Sequence, residues 1–235
     1  RKILSLKTGG EHDAHSIQRG PDGSLYLLCG NGVPIQPAYY NAPDSPVQQP
    51  QAGFLMKLAD DGQQNSIVAH GFRNAYDFTF NKQGEIFTFD SDGERDVSLP
   101  WYRPTRVFQL APGDHAGFIG ASWKRPSHYF DMPREIGALG RGSPTGVACY
   151  TGDQFPNEYD NSILVGDWTF GQIFCFQFVR FPLESLMTAS LTSLLSHLIL
   201  LQLISSNHIS LYQVLKLVLL NWQSGYKNQF FQYDY

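Results

Sequence analysis

Three short polar turns, each holding a glycine and each set between alternating apolar runs, decide what this chain can fold into. Residues 16–29 turn at Pro21-Asp22-Gly23, residues 53–69 at Asp60-Asp61-Gly62, and residues 77–89 across 81–84, ending in Gly84. Alternation places every second side chain on one face of a strand, and a glycine turn between two such runs makes a hairpin. Residues 105–120 and 143–178 add further strands. The chain therefore reads as all-β. Composition agrees, since 22 Gly and 14 Pro supply turns and 14% aromatic residues suit strands. Hairpins that recur between long connections fit a β-propeller, whose blades are four-stranded sheets. At about 40–45 residues per blade there is room for about four. A sandwich would space its turns more evenly.

The texture changes after Gly171, where only Pro182 and Gly225 remain as punctuation and Leu dominates. The expected division is a partial propeller over residues 1–178 and a Leu-rich tail over 179–235. Residues 186–204 carry no Asp, Glu, Lys or Arg, close to the roughly 20 apolar residues that span a bilayer. Seven polar side chains within that run make a buried or amphipathic helix an equal alternative. The third alternative is a frameshifted, non-native end, because nothing in the tail continues the β pattern. The chain opens on Arg1 without a signal peptide, as an internal fragment or processed form would. A net charge of −4 leaves no basic footprint for nucleic acid. Cys29, Cys149 and Cys175 are scattered, without metal-ligand spacing. Residues 34–51, rich in Pro, Gln and Tyr, form a loop long enough to be functional or disordered.

Candidate chemistry sits in four places. His12 and His15, in Gly10-Glu11-His12-Asp13-Ala14-His15, offer a general base or metal ligands, though two His lack the third ligand of a catalytic zinc site; a solvated polar loop is the plain alternative. Arg73-Asn74 precedes a strand, where an Arg pairs with a carboxylate or polarises an anion or carbonyl. Asp90, Asp92, Glu94 and Asp96 alternate along one loop. Oxygen-rich loops suit Ca²⁺, but position six of an EF-hand loop would be Arg95 and position twelve Trp101. Ser143-Pro144-Thr145-Gly146 ends a Gly-rich run that lets backbone approach a ligand closely. No nucleophile elbow, P-loop or dinucleotide fingerprint is present.

Three stretches together resemble the glucose/sorbosone dehydrogenase family of soluble quinoproteins: GGEHDAHSIQRGPDGSLYLLCGN, GFRNAYDFTFNKQGEIFTFDSDGERDVSLPWYRPTRV and GSPTGVACYTGDQFPNEYDNSILVGDWTFGQIF. They are most similar to the membrane-bound dehydrogenase domains that planctomycete-type bacteria fuse to haem-binding cytochrome modules. The resemblance implies a six-bladed β-propeller, incomplete in this chain, in an exported or periplasmic protein, with a cytochrome c domain as electron acceptor. It implies hydride transfer from a sugar or alcohol carbon to pyrroloquinoline quinone (PQQ), with Ca²⁺ polarising the quinone. His12 falls on the family's catalytic base. Arg73 and Asn74 fall on the pair beside the quinone, where Arg73 would stabilise the developing oxyanion.

Three positions depart from the family pattern. Asn31 stands where the family pairs its base with an Asp. Asp90-Ser91-Asp92-Gly93 replaces the family's calcium segment, which leaves Asp90 and Asp92 as the candidate metal ligands. Thr169 stands where a cation grips the quinone carboxylates. These departures favour the alternatives of a non-catalytic propeller that binds carbohydrate or a protein, or an inactive truncated product. The expected site has His12, Arg73 and Asn74 converging at one end of the propeller channel, joined by His15 or the loop carrying Asp90 and Asp92.

Overall fold

The computed structural model describes residues 3–91, 93–120 and 123–178. The alternatives raised for the Leu-rich tail, and the metal-ligand reading of Asp92, fall outside these residues. Strands β1 (Ala14–Arg19), β2 (Leu25–Cys29), β3 (Gly53–Leu58) and β4 (Ser66–Phe72) form the first sheet in chain order. The second sheet begins with β5 (Phe78–Phe80), β6 (Ile86–Asp90) and β7 (Arg106–Leu110). A separate hairpin follows, β8 (Phe118–Gly120) and β9 (Trp123–Lys124), before β10 (Arg134–Ala138) returns to pair with β7. The third sheet is β11 (Pro144–Cys149), β12 (Ile163–Asp167) and β13 (Gln172–Phe176). All these pairs are antiparallel. Helical structure among the described residues is confined to three-residue 3-10 turns at Pro37–Tyr39, Glu94–Asp96 and Asn157–Tyr159. The all-β class holds, in open sheets.

The turns form where local chemistry demands. Gly23, Gly62 and Gly84 take φ of +81°, +74° and +81°, which a side chain makes costly. Asn81 closes the third turn, its Oδ1 accepting from the N–H groups of Gln83 (3.0 Å) and Glu85 (2.9 Å). This is an Asx-type turn, a bond an Asn makes with backbone two residues on.

Burial does not follow the alternation of polarity along β6, since Thr88 and Asp90 are buried as well. All five of its residues are buried, because the strand has cores on both faces. Ile86 joins Phe72, Phe78 and Phe108 in the core shared by the first and second sheets. Phe87 and Phe89 point the other way, into a core with Val107, Val147 and Ile163 of the second and third sheets. A period of two on one strand thus serves two interfaces.

The long loop of residues 34–51 packs onto the first sheet. Tyr39 and Val47 are buried with Val33 against Phe54, Met56 and Ile67, on the face of the first sheet turned from the second. Asn65, fully buried, ties the loop down by donating from Nδ2 to Tyr39 O (3.0 Å). Ser45 Oγ accepts from Ile67 N–H (2.9 Å). The loop acts as a lid that gives the outer face of the first sheet its own core.

A buried histidine pair joins the edge of β4 to the connection before β8. His70 and His115 meet edge to face, centroids 4.4 Å apart. His70 Nδ1 accepts from Gln51 N–H (3.0 Å), and His115 Nδ1 accepts from Gly117 N–H (2.9 Å). Both rings must therefore keep Nδ1 unprotonated. Burial pushes His70 down to about 4, helped by His115 and Arg125 and partly opposed by Asp131. Burial, then Arg125, lowers His115 as well.

Two outcomes follow from this packing. Phe87→Ala should lower the unfolding free energy by about 3–5 kcal/mol, the usual cost of emptying a buried aromatic site. Phe130→Ala, at a fully exposed position, should change it by less than about 0.5 kcal/mol; urea denaturation of both variants gives the comparison. The histidine pair sets a pH dependence. A depressed folded pKa means that the unfolded chain takes up protons first, so stability is full above about 6.5 and falls as pH drops toward about 4. Urea midpoints across that interval should decline, and His70→Gln should flatten the decline.

Candidate functional site

The leading ends of β1, β5 and β11 lie around one cleft of about 360 Å³, whose walls include His12, Arg73, Asn74, Ser143 and Trp168. Residues 12, 73 and 143 are far apart in sequence, and the sheets bring them together. The chain passes His12 just before β1, and Arg73-Asn74 lies between β4 and β5. Ser143 and Thr145 flank the first residue of β11.

Each segment is held by bonds that leave its side chains for the cleft. Asp90, at the end of β6 and 3% exposed, accepts from two consecutive backbone N–H groups: Arg73 N–H at Oδ2 (2.6 Å) and Asn74 N–H at Oδ1 (2.9 Å). Charge-assisted bonds of this kind are short and about twice as strong as neutral ones. Arg73 also donates from its guanidinium to Ser91 Oγ (3.4 Å). Asp90, a candidate metal ligand by sequence, accepts at both of its oxygens from the Arg73-Asn74 backbone. Among the described residues no three His, Cys, Asp or Glu side chains are grouped to hold a metal ion.

Asn31 joins the two halves of the site. Its N–H donates to Arg73 O (2.8 Å), and its Oδ1 faces His12 Nδ1 at 2.6 Å. With an acceptor oxygen there, His12 donates from Nδ1 and carries its lone pair on Nε2. Glu11 Oε1 lies 3.9 Å from that Nε2, on a side chain 94% exposed, while the His12 side chain is 18% exposed. The flanking glycines are required by closeness. A Cβ on Gly30 would meet His12 O at 2.7 Å and Asn74 Oδ1 at 2.8 Å. The Gly30-Asn31-Gly32 turn is thus pressed between the two segments that carry the candidate residues.

The third wall is built the same way. Asp167 Oδ1 accepts from Ser143 N–H (3.1 Å) and Thr169 N–H (2.9 Å), so one carboxylate fixes both the loop before β11 and the turn after β12. A Cβ on Gly142 would run into that carboxylate. Thr169, a candidate cofactor-binding position by sequence, is exposed in the turn, and its neighbour Trp168 lines the cleft. His15 stands just behind the wall, with Nε2 2.6 Å from Asn74 Oδ1. Sequence reading missed Trp168, Tyr76 and Thr105 as lining residues. Trp168, an aromatic directly after an acidic strand end, is the one that carried a local signal.

No family model matches the chain, and no curated protein matches it. Solved structures do. The PQQ-bound aldose sugar dehydrogenase of Streptomyces coelicolor aligns with TM-score 0.52 at 14% identity, over 74% of this chain and 48% of that one. A glucose dehydrogenase aligns with TM-score 0.53 at 16% identity, over 74% of this chain and 52% of that one. An oxidoreductase (glucose dehydrogenase) of Thermus thermophilus aligns with TM-score 0.50 at 16% identity, over 73% of this chain and 50% of that one. At these identities the likeness is one of fold. The chain spans about half the length of the solved structures it matches.

The carboxylate of Asp90 is testable as the anchor of the cleft. Asp90→Ala should remove two charge-assisted bonds and lower stability by about 3–6 kcal/mol, since each such bond contributes about 1.5–3. Amide hydrogen exchange should accelerate at Arg73 and Asn74 well beyond the change at β12. Equal protection of those two amides in the variant would show that other contacts hold the segment.

Proposed function

We propose that this chain carries the substrate cleft of a PQQ-dependent sugar or alcohol dehydrogenase, and that its three sheets are consecutive blades of a six-bladed β-propeller. The observation that carries the proposal is the convergence of His12 with Arg73-Asn74 on one cleft. Support comes from the fold likeness to dehydrogenases, one of them bound to PQQ.

The donor set suits a planar, acidic quinone. Arg73 supplies a guanidinium, Asn74 a carboxamide, Ser143 and Thr145 hydroxyl groups, and Trp168 an aromatic face. Arg73 and Asn74 would hold the group, which when bound supplies the two-electron acceptor. The rest is done by the chain. His12, kept as the Nδ1–H form by Asn31, presents Nε2 to take the proton of a substrate hydroxyl. Arg73 stabilises negative charge as it develops in the cleft. Asn31 orients the imidazole, but a neutral amide stabilises the imidazolium less than a carboxylate would. That difference favours a second reading, a non-catalytic cleft that binds carbohydrate. We further propose that the protein is exported and passes electrons to a cytochrome.

The test is reconstitution of the full chain with PQQ and Ca²⁺, following dye reduction over a panel of sugars and alcohols. PQQ-dependent reduction is expected, and His12→Ala should lower kcat by about 10²–10⁴-fold, the range for loss of a general base. Asn31→Asp should raise kcat. Sugar binding without dye reduction would establish the second reading, and full turnover in His12→Ala would place the base elsewhere.

A further inference from the structure

Asn74 is held at two points by groups far from it in sequence. Its N–H donates to Asp90 Oδ1, and its side-chain Oδ1 faces His15 Nε2 at 2.6 Å. A carboxamide oxygen has no hydrogen, so the proton in that contact sits on the imidazole. With Oδ1 engaged behind the wall, the Nδ2 amino group is the end left for the cleft. It has no hydrogen-bond partner among the described residues. The same imidazole stacks on Tyr76, centroids 4.3 Å apart and planes inclined by 27°. Asn74 and Tyr76 both line the cleft, and His15 does not.

We infer that His15 is a positioning residue of this cleft: it locks the Asn74 carboxamide with its amino group turned inward, as a preset donor for an acceptor oxygen of the ligand, and seats the Tyr76 ring beside it. The physical need is plain. A free carboxamide rotates, presenting an acceptor and a donor in turn, and discriminates little. A carboxamide held at its oxygen favours carbonyl and carboxylate oxygens over donor groups, because a donor would face a donor. The inference deepens the cleft reading above and rests on its ligand offering such oxygens.

Two measurements on the full chain test it. In ¹⁵N-labelled protein, His15 should be the Nε2–H tautomer, and the Asn74 side-chain amide should show a high order parameter. His15→Ala should drop that order parameter to the level of an exposed Asn, and His15→Gln, whose Nε2 also donates, should restore most of it. PQQ is the binding probe, followed by quenching of tryptophan fluorescence. His15→Ala should weaken its binding about tenfold, the loss expected for one oriented hydrogen bond, with recovery in His15→Gln. An Nδ1–H tautomer, or an equally ordered Asn74 amide in His15→Ala, overturns the inference. So does an unchanged PQQ affinity in His15→Ala. Where the native chain binds no PQQ, the dehydrogenase reading fails, and the ligand-free spectra still decide the role of His15.

Discussion

One carboxylate registers the three sheets. Asp77 stands immediately before β5. Its Oδ1 accepts from Ser16 Oγ (2.8 Å) and Gln18 Nε2 (3.0 Å) of β1, and its Oδ2 accepts from Val147 N–H (3.1 Å) of β11. Its backbone carbonyl takes a bond from Thr88 Oγ1 of β6 (2.6 Å). A carboxylate offers about four lone-pair sites, so this one side chain, set just before β5 of the second sheet, accepts from strands of the first and third. The same three strands carry His12, Arg73-Asn74 and Ser143 near their leading ends. What aligns β1, β5 and β11 therefore also assembles the cleft. Apolar packing between the sheets supplies the driving force, but it is non-directional. The directed bonds to Asp77 set which residues face one another.

The cleft follows a consistent division of labour. Backbone segments are pinned from behind by polar side chains, Asp90 under Arg73 and Asn74, Asp167 under Ser143 and Thr169, and Asn31 between His12 and Arg73. Guanidinium, imidazole and carboxamide groups are thereby presented at the cleft on fixed backbone, the condition for preorganised electrostatics. The neutral amide of Asn31 selects the tautomer of His12 that carries its proton on Nδ1 and its lone pair on Nε2. On the dehydrogenase reading proposed above, it would offer no charge to an imidazolium.

Much of the fold was legible in the residues. The hairpin turns at Gly23, Gly62 and Gly84 lie within the stretches that glycine and alternation marked, because a turn is decided by φ at one or two residues and bonds spanning two to four. The packing of the long loop of residues 34–51 was not legible: its Pro and Gln content gives no sign that Tyr39 and Val47 find a core on the first sheet. Local sequence shows Asp90 only among the carboxylates of one loop; the N–H groups of Arg73 and Asn74 that it accepts from are 17 and 16 positions away in sequence.

The amino-acid sequence by itself determined the all-β class, the hairpin turns, and, through its likeness to a dehydrogenase family, the candidacy of His12, Arg73 and Asn74. Only the tertiary structure decided that these three share one cleft, that Trp168 lines it, and that His15 meets Asn74. The physical reason is range. Turns and strand faces follow from steric and hydrogen-bond preferences over a few neighbouring residues. The contacts of His15 with Asn74 and of Asp77 with Val147 span 59 and 70 residues, and exist only once the sheets have packed.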